Sequence, residues 1–223
     1  MKSIYLSLTA ALFSLVFTSC GLLNLTKPNE TAATEPKAEE PTEPAYVNPY
    51  PVGTHDHFTH RQDYRKTWDI FKNEAAYTAA SPSETSIVLD LTTLRGQLFN
   101  GQQQVILDYP IAGGTAKHPT PKGSFKITEK IVDKESNLYG KILDADGKIV
   151  KSDADSRKDE IPAGGRFDGA DMPYWMRLTN SGIGMHQGRV PRYPASHGCI
   201  RHTWDGVKQV YAKVKVGTPV TIK

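Results

Sequence analysis

The chain has 223 residues, with 27 lysines and arginines against 24 aspartates and glutamates, and a formal net charge of +3. No basic stripe interleaved with aromatic residues occurs, so the composition does not favour nucleic-acid binding. The moderate positive charge falls after residue 54, because the residues before it are negative overall, and it suits an anionic partner that carries free carboxylates.

The N-terminus has the pattern of a lipoprotein signal peptide over residues 1–19. Lys2 gives a positive start, residues 4–17 are mostly apolar, and small residues precede Cys20. The apolar run is too short to span a bilayer as a mature helix. We therefore expect Cys20 to be the lipidated first residue of the mature chain, anchored to a membrane by its acyl chains.

Residues 20–54 are rich in proline, glutamate and threonine and contain few aliphatic side chains. This composition predicts a disordered, extended tether. The next segment, residues 55–83, is predicted to be a helical extension, because aromatic and small residues recur at helical spacing over residues 61–77. His55, His57 and His60 precede that helix and could hold a metal ion, but no carboxylate pattern supports one, and a loop is preferred.

From residue 86 the hydrophobic period changes to that of strands. Strands are predicted at residues 87–91, 97–99, 105–111, 125–132, 141–150, 174–179 and 218–222. A two-residue turn is expected at Asn100-Gly101, and another turn at Asp146-Gly147. Residues 135–140 and 152–169 are predicted to be long polar connections, and a lid over a groove is the natural role for them. A helix begins at Thr203, so the fold is mainly β with one or two helices.

The segment with the most chemistry is Ser196-His197-Gly198-Cys199-Ile200-Arg201, with His186 upstream at a strand end. A cysteine attacks carbonyl carbon as a thiolate, which a nearby imidazole favours, and the oxyanion that forms needs N–H donors. Taken singly, a cysteine or histidine is more often structural. A zinc site formed by His186, His197, Cys199 and His202 is the competing hypothesis, but structural zinc sites favour closely paired cysteines, so no metal is expected.

These residues resemble the signature of the L,D-transpeptidases with a YkuD-type catalytic domain. The resemblance rests on His186 followed by residues 193–201, and on upstream segments that follow the family's opening strands and its Thr-Pro-x-Gly-x-Phe element, residues 120–125. Residues 173–176 and 182–186 match its later strands. The resemblance covers about residues 84–223 and implies a β-sandwich.

The resemblance also implies roles for individual residues. Cys199 is the nucleophile, and His186 is the base, oriented by a backbone carbonyl at about Gln187. The N–H groups near Gly198 and Cys199 stabilise the oxyanion. Ser196, His197 and Arg201 position the substrate or the loop. Two departures are the short segment of residues 187–195, which is typical of a short-loop subgroup, and His202, where an aliphatic residue is more usual.

The reaction implied is transfer of a peptidoglycan stem peptide through a thioester, with release of D-alanine and no cofactor. The acceptor is an amine of a second stem or of a protein. Water as acceptor would instead give an L,D-carboxypeptidase, and a non-catalytic peptidoglycan-binding lipoprotein is the third hypothesis. The chain is expected to be exported and anchored through Cys20, facing the cell wall on the periplasmic side. Gly21 favours the outer membrane if the organism is diderm.

An even number of cysteines in an exported protein normally suggests a disulfide. Here there are two, Cys20 and Cys199. Lipid occupies the first, and the second must be reduced to act. We therefore expect no disulfide.

Overall fold

A computed structural model describes residues 46–223 of the chain. The predicted signal peptide of residues 1–19, the predicted lipidation site Cys20 and the predicted tether up to residue 45 lie outside the described residues. Within the described part, no helix is both long and apolar enough to cross a membrane. The mainly β prediction is confirmed, since most of the regular structure in residues 46–223 is strand.

Thirteen strands and three helices are found in residues 46–223. In chain order they are α1 (His55–Thr59), β1 (Phe71–Lys72), α2 (Glu74–Ala79), β2 (Ser86–Asp90), β3 (Arg95–Phe99), β4 (Val105–Ala112), β5 (Gly123–Lys126), β6 (Glu129–Ile131), β7 (Glu135–Leu143), β8 (Ile149–Asp155), β9 (Arg166–Asp171), β10 (Trp175–Arg177), β11 (Gly184–Gln187), β12 (Ile200–His202), α3 (Trp204–Ala212) and β13 (Pro219–Ile222).

Ten of the strands form one sheet, in the order β5-β13-β2-β3-β4-β12-β11-β10-β6, with β1 paired to β4. Strand β4 joins the two halves, because its first part pairs with β3 and its last residues pair with β12. Because residues 106–112 are all buried, both faces of β4 are covered where the two halves of the sheet meet. The arrangement places β11 and β12 beside each other in parallel at the centre of the second half.

The core forms where the alternate apolar residues of these strands meet helix α3. Ile87 and Leu89 of β2 are buried while their neighbours are only partly covered, which is the period of two that a one-sided strand needs. Thr203 caps α3 by accepting a hydrogen bond from the Gly206 N–H, and Val207 and Val210 are fully buried. Helix α3 thereby fixes the position of β12, which directly precedes it.

The remaining strands form a separate sheet in the order β8-β7-β9, which we call the lid sheet. The turn predicted at Asp146-Gly147 joins β7 and β8, and Gly147 has a φ of +80°, which favours glycine. The prediction of long polar connections at residues 135–140 and 152–169 was wrong, because the first segment and parts of the second lie in these strands. Their polar side chains reflect a sheet with much of its surface exposed, as in β8.

The predicted helix at residues 61–77 is also wrong. Residues 61–70 form turns and irregular structure and residues 71–72 form β1, so that only the last four residues of the predicted helix, which open α2, are helical. The reason is that its aromatic residues have different tertiary partners: the Tyr64 hydroxyl donates to Asp108, and the Trp68 indole N–H donates to the Val190 carbonyl. Such contacts outweigh the small propensity of the segment for helix.

Folded structure also begins before the predicted tether boundary at residue 54. The Tyr46 hydroxyl donates to the His60 carbonyl, and the Asn48 side-chain amide donates to the His57 carbonyl, both at 2.7 Å. These bonds hold residues 46–48 against α1, so this stretch belongs to the folded unit.

One turn prediction and one strand prediction are refined by the structure. The expected two-residue turn at Asn100-Gly101 is a longer loop, in which the Asn100 side-chain oxygen accepts from the backbone N–H groups of Gln102 and Gln104. The expected strand at residues 125–132 is divided into β5 and β6. The chain changes partner there, since β5 pairs with β13 and β6 pairs with β10.

Candidate active site

The parallel register of β11 and β12 brings His186 and Arg201 to one face of the sheet. His186 lies opposite Arg201, and Met185 lies opposite Ile200. Met185 and Ile200 are fully buried in the core, so His186 and Arg201 face the other way. Cys199 lies directly before β12, two residues before Arg201. The His186 and Cys199 side chains line one pocket of about 430 Å³.

The turn before Cys199 is held by a buried serine. The Ser196 hydroxyl donates to the Cys199 carbonyl at 2.5 Å and accepts from the Gly198 N–H at 3.1 Å. Gly198 has a φ of +112°, and an added Cβ would lie 2.7 Å from the Ile183 side chain. Glycine is therefore required here by both the backbone conformation and the space.

Thr120 ties this turn to the segment that follows β4. Its buried hydroxyl donates to the Gly198 carbonyl at 2.7 Å and accepts from the Gly114 N–H at 2.8 Å. Three backbone hydrogen bonds also join these segments: the Ala195 and Ser196 N–H groups donate to the Gly113 carbonyl, and the Thr115 N–H donates to the Ser196 carbonyl. Sequence reasoning gave Thr120 no role, although it opens the Thr-Pro-x-Gly-x-Phe element, which was the signal that could have found it.

His186 is held as a neutral base. Its Nδ1 lies 2.6 Å from the Gln187 carbonyl oxygen, so Nδ1 carries the proton and donates it to that carbonyl. The other nitrogen, Nε2, is then free to accept a proton. Burial lowers the pKa of His186 to about 4, against an ordinary value of 6.5, and the positive charge of Arg201 acts in the same direction. The imidazole is therefore uncharged at neutral pH.

Cys199 is a half-buried free thiol in the structure. Burial raises the pKa of this thiol, and the Gly184 N–H and the Arg201 charge oppose that shift in part. Its Sγ lies 3.6 Å from the Gly182 carbonyl oxygen, which suits a protonated thiol acting as donor. The thiol and the imidazole are therefore both neutral, so a nucleophilic attack by this sulfur would require the thiol proton to leave as the new bond forms.

The lid sheet forms one wall of the pocket and contacts the turn of residues 196–199 through His197. The Tyr139 ring stacks on the His197 ring with centroids 4.4 Å apart, and Asp153 Oδ1 lies 3.7 Å from His197 Nε2. The His118 ring also packs against the His197 ring, with centroids 4.6 Å apart. Burial lowers the pKa of His197, although Asp153 opposes this shift. The interactions of His197 thus connect the turn to the lid sheet.

Arg201 supplies a cation to the pocket floor. It is half-buried, its hydrocarbon stem lies along Gly188, and no carboxylate among residues 46–223 lies within ion-pair distance of it. Arg177, which also lines the pocket, is paired with Glu129 at 3.1 Å. Arg201 is therefore a cation available to an anionic group of a ligand.

The structure does not bring the four nominal zinc ligands together. His202 belongs to the core face of β12, is fully buried and stacks on Tyr109 with centroids 5.1 Å apart. Neither of its ring nitrogens has a hydrogen-bond partner among the described residues, and burial lowers its pKa to about 3. Residues 46–223 contain no group of three side chains that could hold a metal ion. In the N-terminal histidine cluster, His55 instead bonds to Asp108.

The sequence was compared with protein families and with known proteins. Residues 84–222 match the YkuD family, described as the L,D-transpeptidase catalytic domain. No curated protein sequence matches the chain. Solved structures similar to it include an L,D-transpeptidase from Mycobacterium smegmatis, with 23% identity, a TM-score of 0.47, and coverage of 63% of this chain and 58% of that chain.

Two further solved structures have similar values. L,D-transpeptidase 1 from Mycobacterium tuberculosis has 23% identity, a TM-score of 0.44, and coverage of 62% of this chain and 61% of that one. A cysteine-to-serine mutant of the Enterococcus faecium L,D-transpeptidase has 24% identity, a TM-score of 0.45, and coverage of 63% and 50%. The chain thus spans less than two thirds of the length of each. By the match over residues 84–222, the chain belongs to the YkuD family of L,D-transpeptidase catalytic domains.

Proposed function

We propose that the protein is a peptidoglycan L,D-transpeptidase that uses Cys199 to form a thioester with a donor stem peptide. The observation that carries this proposal is that Cys199, directly before β12, and His186, on the adjacent parallel strand β11, line one pocket, with His186 Nδ1 fixed on the Gln187 carbonyl. That arrangement leaves Nε2 as the only ring nitrogen able to take the thiol proton.

In the first half of the proposed reaction, Cys199 Sγ attacks the carbonyl carbon of the amide between the third stem residue and the terminal D-alanine. The thiol proton passes to His186 Nε2 as the S–C bond forms. Because the Gly198 N–H is already bound to Ser196, we assign oxyanion stabilisation to the Cys199 N–H. The C–N bond then breaks, His186 returns the proton to the leaving nitrogen, and D-alanine departs.

In the second half, an amine of another stem or of a protein attacks the thioester carbon. His186 Nε2 takes a proton from that amine and gives it to the sulfur as the S–C bond breaks, so the free thiol is restored. The Arg201 guanidinium is placed to hold a stem carboxylate during both steps. Water in place of the amine would yield a tripeptide by the same thioester.

The test is a product analysis with defined disaccharide tetrapeptides and purified protein. Mass analysis should show dimers that have lost one D-alanine, with none formed by Cys199→Ala. Tripeptides without dimers would replace transfer by hydrolysis. If wild type and Cys199→Ala leave the peptides equally unchanged, the protein is a non-catalytic binder and the proposal fails.

We also propose that the protein is an exported lipoprotein anchored through Cys20. The support is the sequence of residues 1–20, which ends in small residues before the cysteine. Replacement of Cys20 by Ser should release the protein from membranes in a fractionation experiment, with Cys199→Ser as the matched control. Continued membrane association of Cys20→Ser would contradict the proposal.

A further inference from the structure

A second groove lies between the segment that follows α1 and one face of α3. We call it the helix groove; it encloses about 500 Å³ and is lined by Trp68, Asp69, Ile70, Asp205, Lys208 and Gln209. It shares no lining residue with the catalytic pocket. Its volume is within the range of sites that bind small ligands. The proposed transfer chemistry makes no use of it.

Trp68 gives the helix groove a fixed aromatic wall. The side chain is 58% exposed, yet its indole N–H donates to the Val190 carbonyl at 2.9 Å. The polar atom of the ring is therefore satisfied by the protein, and the exposed part of the ring offers apolar aromatic surface. Such a face carries negative charge density and attracts weakly positive C–H groups laid flat against it.

The helix face opposite supplies hydrogen-bonding groups. Asp205, Lys208 and Gln209 lie on one side of α3, at the helical spacing that makes them neighbours. The Gln209 amide nitrogen donates to the Asp205 carbonyl at 3.2 Å, but its Oε1 is shielded from solvent and has no partner among the described residues. A rotation of the Gln209 side chain toward the groove would let this oxygen accept a hydrogen bond from a ligand.

The charges of the helix groove balance. Asp69 is paired with Arg61 at 2.7 Å, which leaves Asp205 and Lys208 as one charge of each sign. Because these two charges offset each other, the groove has no net attraction for an anion or a cation, so an uncharged ligand fits better. A ligand with a flat C–H face and several hydroxyl or amide groups satisfies both the Trp68 wall and the polar face of α3. Pyranose sugars have that combination.

We propose that the helix groove binds an uncharged saccharide. Resting on the function proposed above, we identify that saccharide as the glycan strand of the polymer whose stem peptides enter the catalytic pocket. The sugar ring stacks on Trp68, and its hydroxyl and acetamido groups bond to Asp205 and Gln209. Binding there would hold the enzyme on the strand while peptides are exchanged at Cys199.

The test is calorimetric titration of the full chain with an N-acetylglucosamine hexasaccharide, which carries no peptide. Wild type should show saturable binding, and Trp68→Ala should weaken it about tenfold or more. Asp205→Asn, an exposed site where folding is secure, should weaken it as well. Trp204→Ala is the matched control, because this indole is 49% exposed but does not line the groove, and it should bind as wild type does.

Acylation of Cys199 by a carbapenem separates this proposal from the proposed function. Trp68→Ala should be acylated at the wild-type rate, whereas Cys199→Ala should bind the saccharide and resist acylation. Normal acylation of wild type with no saccharide binding would overturn the groove proposal alone. Unchanged binding by both Trp68→Ala and Asp205→Asn, or binding of phosphatidylcholine and phosphatidylglycerol vesicles in place of the saccharide, would overturn it too.

Discussion

The hydroxyl of Ser196 donates a hydrogen bond of 2.5 Å to the carbonyl of Cys199, three residues further along the chain. The same oxygen accepts from the Gly198 N–H. One buried side chain thus shapes the turn that presents the candidate nucleophile. The turn is fixed before any substrate arrives, which is what a nucleophile requires if its attack geometry is to be reproducible.

Replacement of Ser196 by Ala should slow acylation of Cys199 about ten- to a hundredfold, because two backbone groups lose a buried partner and the turn relaxes. Stopped-flow measurement of carbapenem acylation would show this. Ser181→Ala, at an exposed serine elsewhere along the pocket, is the matched control. Equal rates for Ser196→Ala and wild type would remove Ser196 from the positioning role.

Thr120→Val should lower the free energy of unfolding by about 1–3 kcal/mol, because the Gly114 N–H and the Gly198 carbonyl lose their shared partner while the side-chain volume is kept. Urea denaturation would measure the change. Thr120→Ser keeps the hydroxyl and should recover most of the loss. If Val and Ser variants are equally stable, the bridge contributes nothing.

The pH dependence of acylation should reflect the lowered pKa of His186. A base with a pKa of about 4 stays neutral, and able to accept a proton, well below 6.5, its ordinary value. As the pH falls, the rate should therefore decline only on approach to about 4. His197→Gln should show the same acid limb. A midpoint near 6.5 in wild type would indicate an imidazole that is not held neutral by burial.

Asp108 should be the most sensitive position in the attachment of the N-terminal extension. This buried carboxylate accepts hydrogen bonds from Arg95 at 2.7 Å and from Tyr64 at 2.9 Å. Asp108→Asn should cost about 3–5 kcal/mol in the free energy of unfolding, because Arg95 is left as an uncompensated buried charge. Asp63→Asn, which breaks an exposed ion pair with Arg61, should cost about 1 kcal/mol or less. Similar losses for the two variants would contradict this ranking.

The Asp108 network also shows where sequence patterns fail. Strands β2, β3 and β4, helix α3 and the turn at Asp146-Gly147 were predicted, because their apolar periods and turn residues act locally. The burial of Arg95 and Asp108 was not predicted. Charged residues on alternate strand positions normally indicate a solvated face, and only the three-dimensional packing of residues 46–70 over that face reveals otherwise.

The candidate site was anticipated unevenly for the same reason. Cys199 and His186 could be named from a short motif, and the structure places both side chains in the lining of one pocket. The bond from Thr120 to Gly198 and the stacking of Tyr139 on His197 join segments far apart in the chain, so the local motif around Thr120 marks the residue but not its partner, and no local pattern marks the stacking. Of the lid strands, only the ends of β7 and β8 that flank the turn at Asp146-Gly147 were predicted, because the polar residues of the rest lack the alternation that marks a half-buried strand.

The most direct test of the account is the intact mass of the protein after incubation with a wall tetrapeptide donor and no acceptor. Wild type should gain the mass of the donor less one D-alanine, on a peptide that contains Cys199. Cys199→Ala should gain nothing, and His186→Gln should lose most of the adduct although its thiol remains. An adduct on Cys199→Ala, or full acylation of His186→Gln, would contradict the assignment of nucleophile and base.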